Sequence, residues 1–252
     1  MTLDACAESL REHDPDRFGM ALAAPPDARP RLVTLYALNL ELARAPFQSS
    51  EPMLALMRLQ WWVERLAEMG AGTAPPAHDV LMPLWDAWGT DAGHLVPLAE
   101  ARQRDCDRHP FATVDEVLAQ IDATAGALMV AAAGTLGAPL DAHRVIADQG
   151  RGAGITAWLR ALPQLQQLRL GIDDPAAPAA LARAGLAAFA AARAGRGVVP
   201  RAAAPAMYAG PGAGVFLTAI RDGVDPAIAG PVSPFRQRAA LAWLALTGRW
   251  WV

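Results

Sequence analysis

Apolar residues recur along this chain at three- and four-residue spacing, and the two-residue alternation of a half-buried strand is nearly absent. That pattern confines the fold to packed helices, because only a 3.6-residue period brings such positions onto one face. Helix signals then divide the chain. Thr2 caps a first helix through Leu10. Pro26 opens a second, which runs through Arg31, Leu35 and Leu38 to Ala45, where Pro46 stops it. Ser50 caps a third, with Pro52 in its first turn and Gly72 past its end. After a Gly/Ala/Pro linker at 70–77, helices are expected over 79–88 and 94–107. Thr113 and Glu116 form a capping box before a long helix over about 114–136. A helix over 141–169 contains Pro163 and should kink there. Asp174 and Pro175 start an alanine-rich helix that ends at Gly195, residues 208–221 read as a glycine-interrupted helix, and Ser233 and Pro234 start the last, which runs to Thr247 and Gly248. The expectation is an all-α chain, one bundle of eight or nine helices forming a single domain over 1–252.

Composition narrows the function. With 53% hydrophobic and 19% charged residues among 252, the chain can bury a sizeable core and is not disordered. The net charge is −3 and every side-chain cation is arginine, so there is no basic field for nucleic acid and no lysine for Schiff-base chemistry. Cys6 and Cys106 lie far apart without metal-ligand spacing, as expected of reduced thiols in a cytoplasmic protein. The first residues, MTLDACAESLREHD, are charged and amphipathic, unlike a signal peptide. The uncharged runs 123–140 and 203–220 read as buried helices; no transmembrane helix is expected.

Local candidates for chemistry resolve into ordinary structure. His13, His78, His94, His109 and His143 show no ligand spacing and read as surface or turn residues. Gly150–Gly154 follows no strand, so close helix packing explains it better than phosphate binding. Glu64 and Glu68 share a solvated helical face, Asp105 and Asp107 point apart, and Asp174 caps a helix. Trp61, Trp62, Trp85, Trp88 and Trp158 read mostly as core, although adjacent Trp61 and Trp62 cannot share one direction, which leaves one facing a cavity or a partner. Two stretches are candidate interfaces: the charged helix around Arg102, Arg104 and Arg108, and the tail with Arg249, Trp250 and Trp251. The tail could anchor a partner, touch a membrane surface or fold back on the bundle.

Four stretches taken together resemble the squalene/phytoene synthase family: DPDRFGMALAAPPDARPRLVTLYALNLELARAP (14–46), SEPMLALMRLQWW (50–62), IDATAGALM (121–129) and GRGAGITAWLRALP (150–163). The resemblance covers most of 14–165 and thins out beyond. It implies a helical bundle of the isoprenoid synthase type around a central cavity. It also implies two D-x-x-x-D motifs on facing helices, whose carboxylates hold magnesium that grips a diphosphate leaving group. By position, the first pair of acids would fall at Ala43 and Phe47 and the second at Ala161 and Leu165. None of the four is acidic.

The resemblance therefore implies a member without catalytic, metal-binding or cofactor-binding residues. One branch of the family, the assembly factor for respiratory complex I (NADH:quinone oxidoreductase), keeps the fold while losing the catalytic logic, and the chain resembles it. That implies complex I subunits as partners and a peripheral place at the inner face of the cytoplasmic membrane. A further reading keeps the family's cavity as an apolar lipid pocket with no chemistry. The alternative is an active prenyl transferase that uses magnesium and condenses prenyl diphosphates to squalene or phytoene.

Overall fold

A computed structural model of the chain describes residues 2–228 and 232–252. Among these residues the fold is all-α; the one β contact is an isolated bridge between Phe111 and Ile172. The chain forms two compact units, Met1–Asp107 and Arg108–Val252.

The first unit contains α1 (Leu3–His13), α2 (Pro15–Ala23), α3 (Arg29–Arg44), α4 (Pro52–Gly70), α5 (Leu81–Trp88) and α6 (Val96–Arg102). Helix α3 is its axis: every residue from Leu32 to Asn39 is buried, which is the signature of a helix enclosed on all sides. Leu59, Leu66 and Met69 of α4 and Leu81 and Leu84 of α5 are also fully buried, each stabilising by about 1.5–3 kcal/mol relative to exposure.

Several boundaries differ from the sequence expectation. Helix α2 was not foreseen, although Asp14 caps it by accepting the Arg17 N–H at 3.1 Å, with Pro15 in its first turn. Helix α3 begins at Arg29 rather than Pro26. Thr2 sits at the N-cap of α1 with extended backbone, but its hydroxyl makes no capping bond. The N-cap of α4 is Glu51, not Ser50; Ser49 Oγ accepts the Glu51 N–H at 3.1 Å, so a serine turn precedes the helix. The expected helix 94–107 is the short α6 between two 3₁₀ stretches, Gly89–Leu95 and Gln103–Cys106.

The second unit contains α7 (Val114–Ile121), α8 (Ala127–Thr135), α9 (His143–Gln167), α10 (Ala177–Ala194), α11 (Ala213–Arg221) and α12 (Pro234–Thr247). A π-helical turn, Asp122–Gly126, joins α7 and α8 into one continuous helix. The capping box stands at its start: Thr113 Oγ1 accepts the Glu116 N–H at 3.2 Å, and Glu116 accepts the Ala112 N–H at 3.0 Å. Val114–Thr135 is long and apolar enough to cross a membrane by length and composition, yet Val117 and Ile121 lie in the unit's core. Helix α9 presses against the π turn. A Cβ at Gly150 would meet the Gly126 Cα at 2.9 Å, one at Gly152 would strike the Phe189 ring at 2.5 Å, and one at Gly154 would strike Ile121 at 2.5 Å. The glycine run is therefore a packing device, as its place inside a helical stretch suggested. Leu159 and Leu162 of α9 pack with Leu181 and Phe189 of α10 and Leu217 of α11.

Here too some boundaries move. Asp174 Oδ1 accepts the Ala176 N–H at 2.9 Å, which makes a turn, and α10 starts only at Ala177. Residues 208–212 lie outside α11, whose N-cap, Gly212, has a left-handed φ of 66°. Helix α12 matches its expected caps: Ser233 Oγ accepts the Arg236 N–H at 3.4 Å, and Gly248 ends it with φ at 69°.

Candidate functional site

The stretch YALNLELARAPF passes from helix to irregular structure in its middle. Helix α3 ends at Arg44 and a 3₁₀ turn covers Ala45–Phe47. Ala43 is half-buried in the last helical turn, whereas Phe47 sits beyond the helix with 42% of its surface exposed. Tyr36 is enclosed upstream, and burial pushes its phenol well above the ordinary tyrosine range. Thus α3 offers a buried apolar body, one carboxylate at Glu41, and no acid four residues further on.

Glu41 borders a cavity of about 370 Å³ in the first unit, shared with Gln48, Met57, Arg58, Trp61, Trp62 and His78. The two indoles meet edge to face at 5.1 Å, and the His78 ring lies 5.4 Å from Trp61 and 5.1 Å from Trp62. His78 Nδ1 accepts the Val80 N–H at 3.1 Å. Trp62 is buried and Trp61 half-buried, yet both border this cavity. His78 was expected as a plain turn histidine. It is instead half-buried against two indoles, and no spacing in the sequence announces this, because the 70–77 linker brings it there.

In the second unit, Ala161 and Leu165 stand four apart on α9, both half-buried, with fully packed Leu162 between them. Arg160 beside them is engaged: its Nη2 donates to the Pro211 carbonyl at 3.0 Å, and its guanidinium lies 5.0 Å from the Phe216 ring centre. Asp122, in the π turn, forms a two-pronged ion pair with Arg151, Nε to Oδ1 at 2.8 Å, which accounts for the one acid of IDATAGALM. Among the described residues, no three His, Cys, Asp or Glu side chains converge as metal ligands would.

The expected interface arginines are more enclosed than a docking face requires. Arg102 pairs with Asp105 at 3.4 Å, and that carboxylate side chain is only 14% exposed. Burial draws the Arg102 guanidinium below its ordinary value and pushes the Asp105 carboxyl up, with their mutual attraction opposing both. Arg104 and Arg108 are half-buried. Of the three alternatives for the tail, its tryptophans take the fold-back one. Trp250 is 6% exposed, and its carbonyl accepts from Gln149 Nε2 at 3.2 Å. Trp251 lies edge to face with Trp250 and beneath the guanidinium groups of Arg196 and Arg249. Folding back buries the indole ring, which outweighs leaving it in water. Of the three expected anchors, only Arg249 is exposed.

Comparison with known proteins gives three findings. The profile of the squalene/phytoene synthase family matches residues 10–172. The mouse and human proteins named NADH dehydrogenase (ubiquinone) complex I, assembly factor 6 are 28% and 27% identical to the chain over 162 residues, 63% of this chain and 48% of each relative. The chain thus spans about half the length of the curated relatives it matches. A ligand-bound crystal structure of a dehydrosqualene synthase superposes with a TM-score of 0.73 over 96% of this chain and 94% of that one, at 13% identity, which establishes a shared isoprenoid synthase fold.

Proposed function

The chain belongs to the squalene/phytoene synthase family, and we propose that within it this protein works without catalysis, as an accessory or assembly protein of respiratory complex I. What supports the reading is that its relatives are named complex I assembly factor 6, together with the inference from the family resemblance that Ala43, Phe47, Ala161 and Leu165 stand in place of the acidic pairs of a prenyl transferase. Magnesium requires hard oxygen ligands, and alanine, phenylalanine and leucine offer none. A frame kept without its carboxylates retains surfaces and cavities as its means of action.

In this reading the whole of 1–252 acts as a single domain that needs no cofactor, at the inner face of the cytoplasmic membrane as a peripheral protein. Its partners are complex I subunits or an assembly intermediate. A lipid or prenyl chain is a second ligand in this reading, and Met57, Trp61 and Trp62 are the apolar side chains of the cavity beside Glu41 that it would meet. Deleting the gene tests the proposal. Membranes of the deletion strain should lose NADH:quinone oxidoreductase activity and assembled complex I on native gels, with both restored by the gene in trans. Undiminished complex I in the deletion strain would refute it.

A further inference from the structure

Helix α12 wears its apolar side outward. At about 100° per residue, Gln237, Ala240, Leu241 and Leu244 fall on one side of the helix, and these are the positions that are buried or half-buried. The opposite side carries Phe235, Ala239, Ala242, Trp243 and Leu246, all exposed, with Phe235 80%, Trp243 58% and Leu246 76% open to solvent. A helix on the surface of a water-soluble body shows the reverse, with polar residues outside. Arg236 and Arg238 stand at the two margins of this outward stripe, and both are exposed. The segment 232–252 holds three arginines and no acid, within a chain of net charge −3.

We propose that α12 is a membrane-binding element that lies flat on an anionic phospholipid surface. Phe235, Trp243 and Leu246 enter the boundary between headgroups and acyl chains, and Arg236 and Arg238 pair with lipid phosphates from either side of the helix. Charge complementarity selects this occupant. The stripe is flanked by cations alone, so a symmetric pairing of two copies through it would set arginines against arginines, whereas an anionic bilayer meets both the apolar stripe and its basic margins. Trp243 also borders a cavity of about 560 Å³ with Val215, Arg249 and Trp251, which places a third cation next to the same helix. The inference shares with the proposed function only a location at the membrane.

Sedimentation of the purified full chain with lipid vesicles tests it. Binding should be strong to vesicles of equal phosphatidylglycerol and phosphatidylcholine, weak to pure phosphatidylcholine, and reversed by high salt. The pair Arg236→Gln and Arg238→Gln should weaken binding by roughly fivefold per arginine. Phe235→Ser with Leu246→Ser should abolish it, and circular dichroism should show both variants folded, because these side chains are exposed. Binding to neither vesicle, equal binding to both, or a salt-resistant dimer that Trp243→Ser dissociates would each overturn the proposal, the last in favour of a second copy. The vesicles contain no complex I, so failure here leaves the proposed function standing.

Discussion

Gln149, fully enclosed in α9, donates from Nε2 to the carbonyl of Trp250 at 3.2 Å and to that of Met207 at 2.9 Å. One side chain thereby holds the last residues of the chain against a helix 101 positions earlier. Replacing it with leucine strands two buried carbonyls, at a cost of about 1–3 kcal/mol. Trp250→Ala should cost about 3–5 kcal/mol, as for other large buried aromatics. Removing 249–252 should accordingly lower the melting temperature rather than merely detach a surface anchor. Urea unfolding of the three variants checks this, and wild-type stability in all three would contradict it.

The crossing of α9 and α10 gives a sharper contrast. Gly152→Ala drives a methyl into the Phe189 ring and should destabilise by about 1–3 kcal/mol, whereas Gly197→Ala meets nothing within 4 Å and should be neutral or slightly stabilising. Equal unfolding midpoints for the two variants would show that the close approach carries no weight.

Cys6 makes the alkaline limb of stability informative. Burial pushes its thiol from 9.0 to about 11, assisted by the nearby charges of Asp79 and Glu41. The folded state thus holds the proton more tightly than the unfolded chain. The corresponding stability is complete below pH 9.0 and disappears as the pH rises through about 11. Wild type should therefore lose stability more steeply than Cys6→Ala between these values, as read from unfolding midpoints at successive pH. Parallel profiles would contradict the assignment.

No prenyl transfer is expected. The purified chain, given magnesium and farnesyl or geranylgeranyl diphosphate, should yield no C30 or C40 product, because Ala43, Phe47, Ala161 and Leu165 cannot ligate the metal. Product formation that stops on chelation would restore the synthase reading.

The helical class and several of its caps were legible because they are local. Thr113 with Glu116 and Ser233 with Gly248 act within one turn of their own residues, and the apolar run of α3 is visible without its neighbours. Helix α2 carried the Asp-Pro signal but is too short for its period to stand out. The positions of Trp250 and His78 were not legible, since each depends on partners distant in sequence: Gln149 for the first, two indoles across a linker for the second. The enclosure of the arginines was not legible for a related reason. Arg102 looks solvated from its composition, and only the fold shows that it shares a poorly exposed pair with Asp105.

The central claim, that this protein acts on complex I rather than on prenyl diphosphates, is tested most directly by affinity purification of the tagged full chain from mild-detergent extracts of its native membranes. Protein identification should recover complex I subunits or an assembly intermediate, absent from an untagged control. A tagged chain that migrates alone on native gels and recovers no complex I subunit would contradict it.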